Sequence, residues 1–253
     1  MTVRSNVRFD FSGASVLVTG GTGGLGAAVA SAYRDAGAQV IVTGTRPSPT
    51  EYEMDLSGYR YVKLDIEEPA DIERVCDSIA QLDVLINSAG LALFVLGLDE
   101  YEPDVFERAI NMHLTSIYRL AARCAPKLSR SRLAGGASIL SMASMSSFFG
   151  IDAVPGYGAA KTGLLGLTRV LAVHWAKNRI RVNAIAAGLT RSGMTRGVLE
   201  NADMNTAMLS RVPLGRHGEP QDVAGAALFL ASAAASWITG QVLSVDGGFS
   251  IAG

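Results

Sequence analysis

Metal and disulfide chemistry have little to work with in this chain. It holds three histidines, scattered, and two cysteines, Cys76 and Cys124, each inside a helix-like stretch. No ligand cluster of the zinc type can be drawn from them, and two isolated thiols predict reduced, partly buried side chains. Charge of one sign is also missing: 22 basic residues face 23 acidic ones, and the formal net charge is −1. Without a basic run there is no footprint for nucleic acid. No apolar run reaches the length of a membrane span, and Met1 to Gly13 mixes Arg4, Arg8 and Asp10 with few apolar residues, unlike a signal peptide. These absences predict a soluble, cytoplasmic, metal-independent protein with no membrane or nucleic-acid partner.

What is present is length and alternation. At 253 residues with 49% hydrophobic composition, the chain suits one large core. Apolar β-rich runs are expected at Ser15–Thr19, Gln39–Thr43, Tyr59–Leu64, Asp83–Asn87, Ala137–Ser141, Arg181–Ile185 and Gln241–Val245. Helical periodicity predicts Gly24–Ala36, Ala70–Ala80, Glu102–Ser129, Pro155–Lys177 and Pro220–Ala234 between them. Near-continuous apolar strands are those covered on both faces. The expectation is a single α/β domain over 1–253, a doubly wound Rossmann fold with a mostly parallel seven-stranded sheet. The crossover from Arg46 to Gly58 leaves room for a short helix at most.

Thr19-Gly-Gly-Thr-Gly-Gly-Leu-Gly26 follows the first strand and opens the first helix. Glycines there permit a tight turn, close approach of backbone to a pyrophosphate and tight helix–strand packing. The unpaired N–H groups of the helix start then face the negative charge. At the end of the second strand stands Thr43-Gly-Thr-Arg46, where an acid would bond the ribose hydroxyls of NAD. Arg46 instead suits a 2′-phosphate, which favours NADP. NAD stays possible, because Glu51, Glu53 or Asp55 can fold back, and Arg46 can equally face solvent.

Tyr157-Gly-Ala-Ala-Lys161, with Ser144 thirteen residues upstream, places an acid, a cation and a hydroxyl around one substrate oxygen. A lysine four positions on shares the tyrosine's helix face. Its charge is expected to lower a phenol pKa that is ordinarily about 10. Alone this spacing is common on surface helices. Beside a hydride carrier it becomes chemistry.

Together these motifs resemble the short-chain dehydrogenase/reductase family over nearly the whole chain, in particular its 3-oxoacyl-carrier-protein-reductase-like members. Besides the glycine loop, Asp65-Ile66 resembles the pair that contacts adenine, and Asn87-Ser-Ala-Gly90 the motif after the fourth strand. The resemblance implies an NAD(P)-dependent oxidoreductase acting on a small-molecule secondary alcohol or ketone. It makes Tyr157 the acid/base, Ser144 the donor to the substrate oxygen, and Lys161 both phenol activator and ribose ligand. Gly20, Thr22, Gly24, Leu25, Gly26, Asp65, Ile66, Asn87, Ala89 and Gly90 would hold the cofactor, with Gly188 and Thr190 at its carboxamide end. It also implies a homotetramer, with Phe249-Ser250-Ile251 at an interface.

Three positions depart from the family pattern: His113 replaces a relay asparagine, Ala187 a proline, and Gly23 the basic residue of NADP-preferring relatives. His113 relays protons itself or is simply packed; Asn111 lies on the opposite helix face. Substrate walls are expected from Met145, Phe148, Phe149, Ile151 and Val154, and a mobile lid from 189–211. Competing readings are an NAD-dependent alcohol dehydrogenase working oxidatively and, from another class, a non-catalytic dinucleotide-binding regulator, which would have no use for the intact trio.

Overall fold

The computed structural model describes residues 7–252; of the expected 1–253 domain, residues 1–6 and 253 lie outside it. Seven strands, β1 (Ser15–Thr19), β2 (Gln39–Gly44), β3 (Arg60–Lys63), β4 (Val84–Asn87), β5 (Ala137–Ser144), β6 (Ile180–Ala187) and β7 (Val242–Val245), form one sheet. Its order is β3-β2-β1-β4-β5-β6-β7, and every neighbouring pair is parallel. The expected doubly wound sheet is present.

Alternation along β1 shows why both faces need cover. Leu17 enters one core cluster, while Val16 and Val18 enter the other. The first cluster is closed by α2 (Pro69–Asp77), α4 (Ser116–Leu128) and α5 (Pro155–Trp175), through Ile72, Leu120 and Leu171. The second is closed by α1 (Gly24–Asp35) and α8 (Pro220–Ala231), through Val29, Tyr33, Val223 and Leu230. The crossover from β2 to β3 holds only a 3₁₀ turn at Pro49–Glu51.

Two elements differ from expectation in ways that shape the site. β5 and β6 run on to Ser144 and Ala187, because eight consecutive registers pair them with each other beyond their neighbours. The extension carries Ser144 to the C-terminal edge of the sheet. It also makes Ala187, which stands where the family pattern has a proline, part of the ladder, and Gly188 N–H continues it to Val245 O at 3.0 Å.

The single helix expected over Glu102–Ser129 is broken into three parts. α3 (Pro103–Ile110) passes into a π turn (Asn111–Thr115) before α4 begins. Ser116 N–H reaches back five residues to Asn111 O. Such turns put one extra residue into the helical count, which apolar periodicity does not register. His113 stands in that turn.

Downstream, 189–211 folds into two short helices, α6 (Arg196–Glu200) and α7 (Ala202–Leu209). Below them, buried Arg181 closes the last turn of α8: its guanidinium donates to Leu230, Ala231 and Ser232 carbonyls, and also to Gly135 and Ile238. A cation at a helix C-terminus satisfies carbonyls that have no intrahelical partner. Arg181→Met should therefore cost about 3 kcal/mol, since several buried acceptors lose their donor at once. Urea unfolding of the two proteins checks this, and equal midpoints would contradict it.

Candidate active site

In a sheet of this order, the crevice opens at the C-terminal ends of β1 and β4, where the strand order reverses. Thr19 and Asn87 are partners in that register. Thr19 Oγ1 accepts from the N–H groups of Ser88 (3.1 Å) and Ala89 (3.2 Å), which fixes the start of the loop after β4. Gly20, Thr22, Gly24, Leu25 and Gly26 turn from β1 into α1 on the same edge.

The loop is shaped as a cradle. A Cβ on Gly26 would stand 2.3 Å from Gly20 O, so backbone packs directly on backbone there. At Gly23 a Cβ would meet nothing within 4 Å. No side chain caps α1, and its first turn carries no acid. Free N–H groups over open space suit a pyrophosphate. Asn87, donating through Nδ2 to Ser141 Oγ at 3.1 Å, keeps a buried carbonyl oxygen with no donor. These features fit a dinucleotide. Gly188 packs against Asp246 Cα, and buried Thr190 donates to Gly188 O at 3.1 Å on the far side of the edge.

At the tip of β2, Arg46 is exposed, with its guanidinium 5.0 Å from the centre of the Tyr52 ring and donating to Glu51 O. Tyr52 Oη accepts from Arg46 N–H at 2.8 Å, and Tyr61 Oη donates to the carbonyls of Gly44 and Arg46. This aromatic footing was not read from the sequence, because Tyr52 and Tyr61 meet only through the crossover. Glu51 accepts from Ser48 N–H, and Asp55 from Ser57. Both carboxylates are committed to their own turns. Asp65 likewise accepts from Glu67 N–H at 3.0 Å, beside buried Ile66.

The expected trio does converge. Tyr157 and Lys161 lie on α5 and Ser144 ends β5. Lys161 is buried, donates from Nζ to Met142 O at 2.6 Å, and sits 5.4 Å from the Tyr157 ring centre. Ser147 Oγ donates to Lys161 O at 2.9 Å, tying β5's extension to the helix. Burial lowers the Lys161 ammonium to about 8. The direction at Tyr157 is the reverse of the expected one. Enclosure raises the phenol above its ordinary value, a hydrogen bond with Ser144 opposes this, and the negative charge of Glu100 adds to it. Desolvation of the charged form is the largest effect and outweighs that hydrogen bond.

His113 completes the corner. Its ring meets that of Tyr157 edge-on, with centres 4.8 Å apart, and Nε2 lies 2.9 Å from Leu91 O. That carbonyl fixes the tautomer: Nε2 carries the proton and Nδ1 is a bare, buried acceptor with no partner. Gly90 makes room for the ring, since a Cβ there would fall 2.6 Å from His113 Cε1, and its φ of +133° suits glycine alone. Burial, with the Lys161 charge second, pushes the imidazole down to about 3. A relay that cycles charge near the ordinary histidine value has no such titration to use.

Some expected walls are closed. Met145 joins Val212 and Phe249 in a small core, with Phe149, Ile151 and Met208 packed on it. Phe148 remains exposed, as do Phe94, Val95, Leu96 and Met204. The buried carboxylate of Glu100, which accepts from Tyr157 N–H at 2.8 Å, was missed by sequence reading. Nothing in local sequence distinguishes it from neighbouring Asp99 and Glu102.

Comparison with known proteins agrees with this geometry. The family model described as enoyl-(acyl carrier protein) reductase matches residues 20–250. The chain is 35% identical to 3α-hydroxysteroid dehydrogenase of Mediterraneibacter gnavus, over 91% of this chain and 94% of that one. It is 34% identical to a 3-oxoacyl-acyl-carrier-protein reductase of Salmonella typhimurium, over 94% and 98% of the two. The solved Pseudomonas aeruginosa RhlG/NADP active-site complex superposes with a TM-score of 0.86 at 29% identity, covering 97% of this chain and all of that one.

Because His113 binds a proton more readily unfolded than folded, its contribution to stability is complete above pH 6.5 and is lost as pH falls toward 3. Between pH 7 and pH 5, His113→Asn should lose about 2 kcal/mol less stability than the parent. Denaturant unfolding at the two pH values measures it, and parallel losses would show that the ring is not held neutral.

Proposed function

The chain belongs to the short-chain dehydrogenase/reductase family, and we propose that it transfers hydride between NADP(H) and a secondary alcohol/ketone pair, with Tyr157 as acid/base. The observation that carries this reading is the phenol bracketed by Ser144, Lys161 and His113 on the edge that holds the glycine cradle. When bound, the dinucleotide supplies or accepts the hydride, and the protein handles the proton.

Gly20, Thr22, Gly24, Leu25 and Gly26 would hold the pyrophosphate, Asp65 and Ile66 the adenine, and Asn87, Ala89, Gly90, Gly188 and Thr190 the nicotinamide half. Tyr157 and Lys161 would take the ribose. In reduction the Tyr157 hydroxyl gives its proton to the carbonyl oxygen, which Ser144 holds by a second hydrogen bond. The ammonium of Lys161 offsets negative charge left on the phenol. In oxidation the phenol must first lose its proton. Its raised pKa makes that loss harder near neutrality.

NADP is favoured over NAD by Arg46, whose guanidinium rests on Tyr52 while Glu51 and Asp55 are held by local N–H groups. NADP is also the ligand of the RhlG complex. Assays of NADPH consumption with a 3-oxosteroid, a 3-oxoacyl thioester and a keto sugar acid test the reading. Tyr157→Phe should lower kcat about 10³-fold on any ketone the parent reduces. Arg46→Ala should reduce the preference for NADPH over NADH about tenfold. Full turnover by the phenylalanine variant would sink the mechanism.

A cytoplasmic, homotetrameric enzyme is the assembly that fits best. Both thiols are free and buried, and among the described residues no helix is long and apolar enough to cross a membrane. β7 is an edge strand, and Val173, Trp237 and Ile251 are 81%, 99% and 87% exposed. Phe249, expected at an interface, is instead buried within its own chain. Exposed apolar side chains at an open sheet edge call for a second copy. Light scattering after size exclusion should give four times the 26.5 kDa chain mass; a monomer would exclude the assembly.

A further inference from the structure

Helix α5, which carries both Tyr157 and Lys161, starts without a cap of its own. Val154, at its N-cap position, has no side chain able to accept, Pro155 has no N–H, and Tyr157 is the third helical residue. The orphan N–H of Tyr157 is satisfied from far away in the chain. Glu100 Oε2 accepts it at 2.8 Å, and Oε1 accepts Leu93 N–H at 3.3 Å. Glu100 is 1% exposed. A carboxylate is rarely taken so far out of water unless it is paired or hydrogen-bonded, and here both oxygens are used on backbone donors. The start of a 21-residue helix is also a favourable place for negative charge.

The two donors belong to the two sides of the site. Leu93 opens the short 3₁₀ turn Leu93–Leu96 in the loop after β4, and Leu91 in the same loop supplies the carbonyl that orients His113. His113 in turn lies edge-on against Tyr157. The contacts close a ring: Tyr157 backbone, Glu100, Leu93, Leu91, His113, Tyr157 side chain.

We propose that Glu100 is a positioning residue, a buried carboxylate that ties the backbone of the catalytic tyrosine to the loop after β4 and so sets where the phenol stands. This rests on the assignment of Tyr157 as the acid/base. It has an electrostatic consequence. The ionisable groups in contact with Tyr157 are Lys161 on its own helix, neutral His113 in the π turn, and Glu100; α3, which packs on the start of α5, adds exposed Asp104, Glu107 and Arg108, the last paired with Glu67, and exposed Asp152 accepts from Tyr101 Oη at 2.9 Å. Ser144 adds a hydroxyl. Enclosure raises the phenol most, and the charge of Glu100 adds to that opposition to ionisation.

The test reads the phenol directly and needs no substrate. In protein labelled with [ζ-¹³C]tyrosine, the Tyr157 signal is the one lost in Tyr157→Phe, and it is followed with pH in the parent, Glu100→Gln and Glu100→Asp. Glu100→Gln removes the charge and sets an amide N–H₂ against a backbone N–H. Its midpoint should fall about one unit below that of the parent. Glu100→Asp keeps the charge and should stay within a few tenths of the parent, even where its shorter reach costs thermal stability. Amide exchange at Tyr157 and Leu93 should quicken together in Glu100→Gln. Coincident midpoints in parent and Glu100→Gln, including no titration below pH 11 in either, would overturn the proposal, as would equal shifts in Gln and Asp variants. Should Glu100→Gln fail to fold, the aspartate variant decides: faster exchange at both amides with a retained midpoint supports the tie, and unchanged exchange refutes it. Absence of NADPH turnover in the parent would instead remove the proposed function and leave these titrations standing.

Discussion

Exclusion of water from one corner of the sheet edge governs this site. Lys161, His113 and Glu100 are buried there beside half-buried Tyr157, and desolvation is the first cause of the shifts at Lys161, His113 and Tyr157. Every other feature answers that cost. Lys161 has the Met142 carbonyl, Glu100 two backbone N–H groups, and His113 the Leu91 carbonyl. Burying an ionisable group without such partners costs several kcal/mol, so the scaffold around the site is largely an inventory of acceptors and donors. The same enclosure makes the phenol a held acid rather than a free one.

The fold was almost fully legible in the sequence because its signals are local. Apolar runs such as Ser15–Thr19 and the glycine spacing of Thr19–Gly26 depend on neighbours a few residues away. The register of β5 on β6 does not, and so both strands run further than their own composition announced. The trio Ser144, Tyr157 and Lys161 was legible as a spacing, and its geometry followed once β5 and α5 were placed. What stayed hidden was tertiary. Glu100 looks like any acidic loop residue until it meets Tyr157 N–H across 57 positions. Tyr52 and Tyr61 become a footing for Arg46 only when the crossover folds back. The direction of the Tyr157 shift was misread for the same reason: a sequence shows which charge is near, but not how much water is absent.

On the proposed function, cofactor choice and chemistry would fall to separate parts of one edge. Arg46 and its aromatic footing lie at the tip of β2, whereas the phenol stands beyond β4 and β5. Arg46 is exposed, Tyr157 is half-buried and Lys161 is buried. The two tasks follow different physics. On the proposed function, a phosphate would meet a guanidinium that stays wet at the rim, and the proton would move deeper in, beside buried Lys161. Relatives matched over more than nine-tenths of the chain bear names as different as a steroid dehydrogenase and an acyl-carrier-protein reductase. On the proposed function, substrate preference would be left to the loop after β4, the segment after β5 and the pair α6–α7.

The π turn at Asn111–Thr115 can be understood as a slip of phase. A helix is a counting device, and up to Ile110 it counts in one frame and from Ser116 in another. His113 falls in the gap between the two counts. Its ring is therefore aimed by an irregularity rather than by a place on a regular face. Two consequences follow for how such a site can change. Its identity can be exchanged, asparagine for histidine, so long as the slip survives and Gly90 leaves the space. The slip itself cannot drift, because one residue more or fewer would turn α4 on its axis and pull Leu120 and Cys124 out of the core.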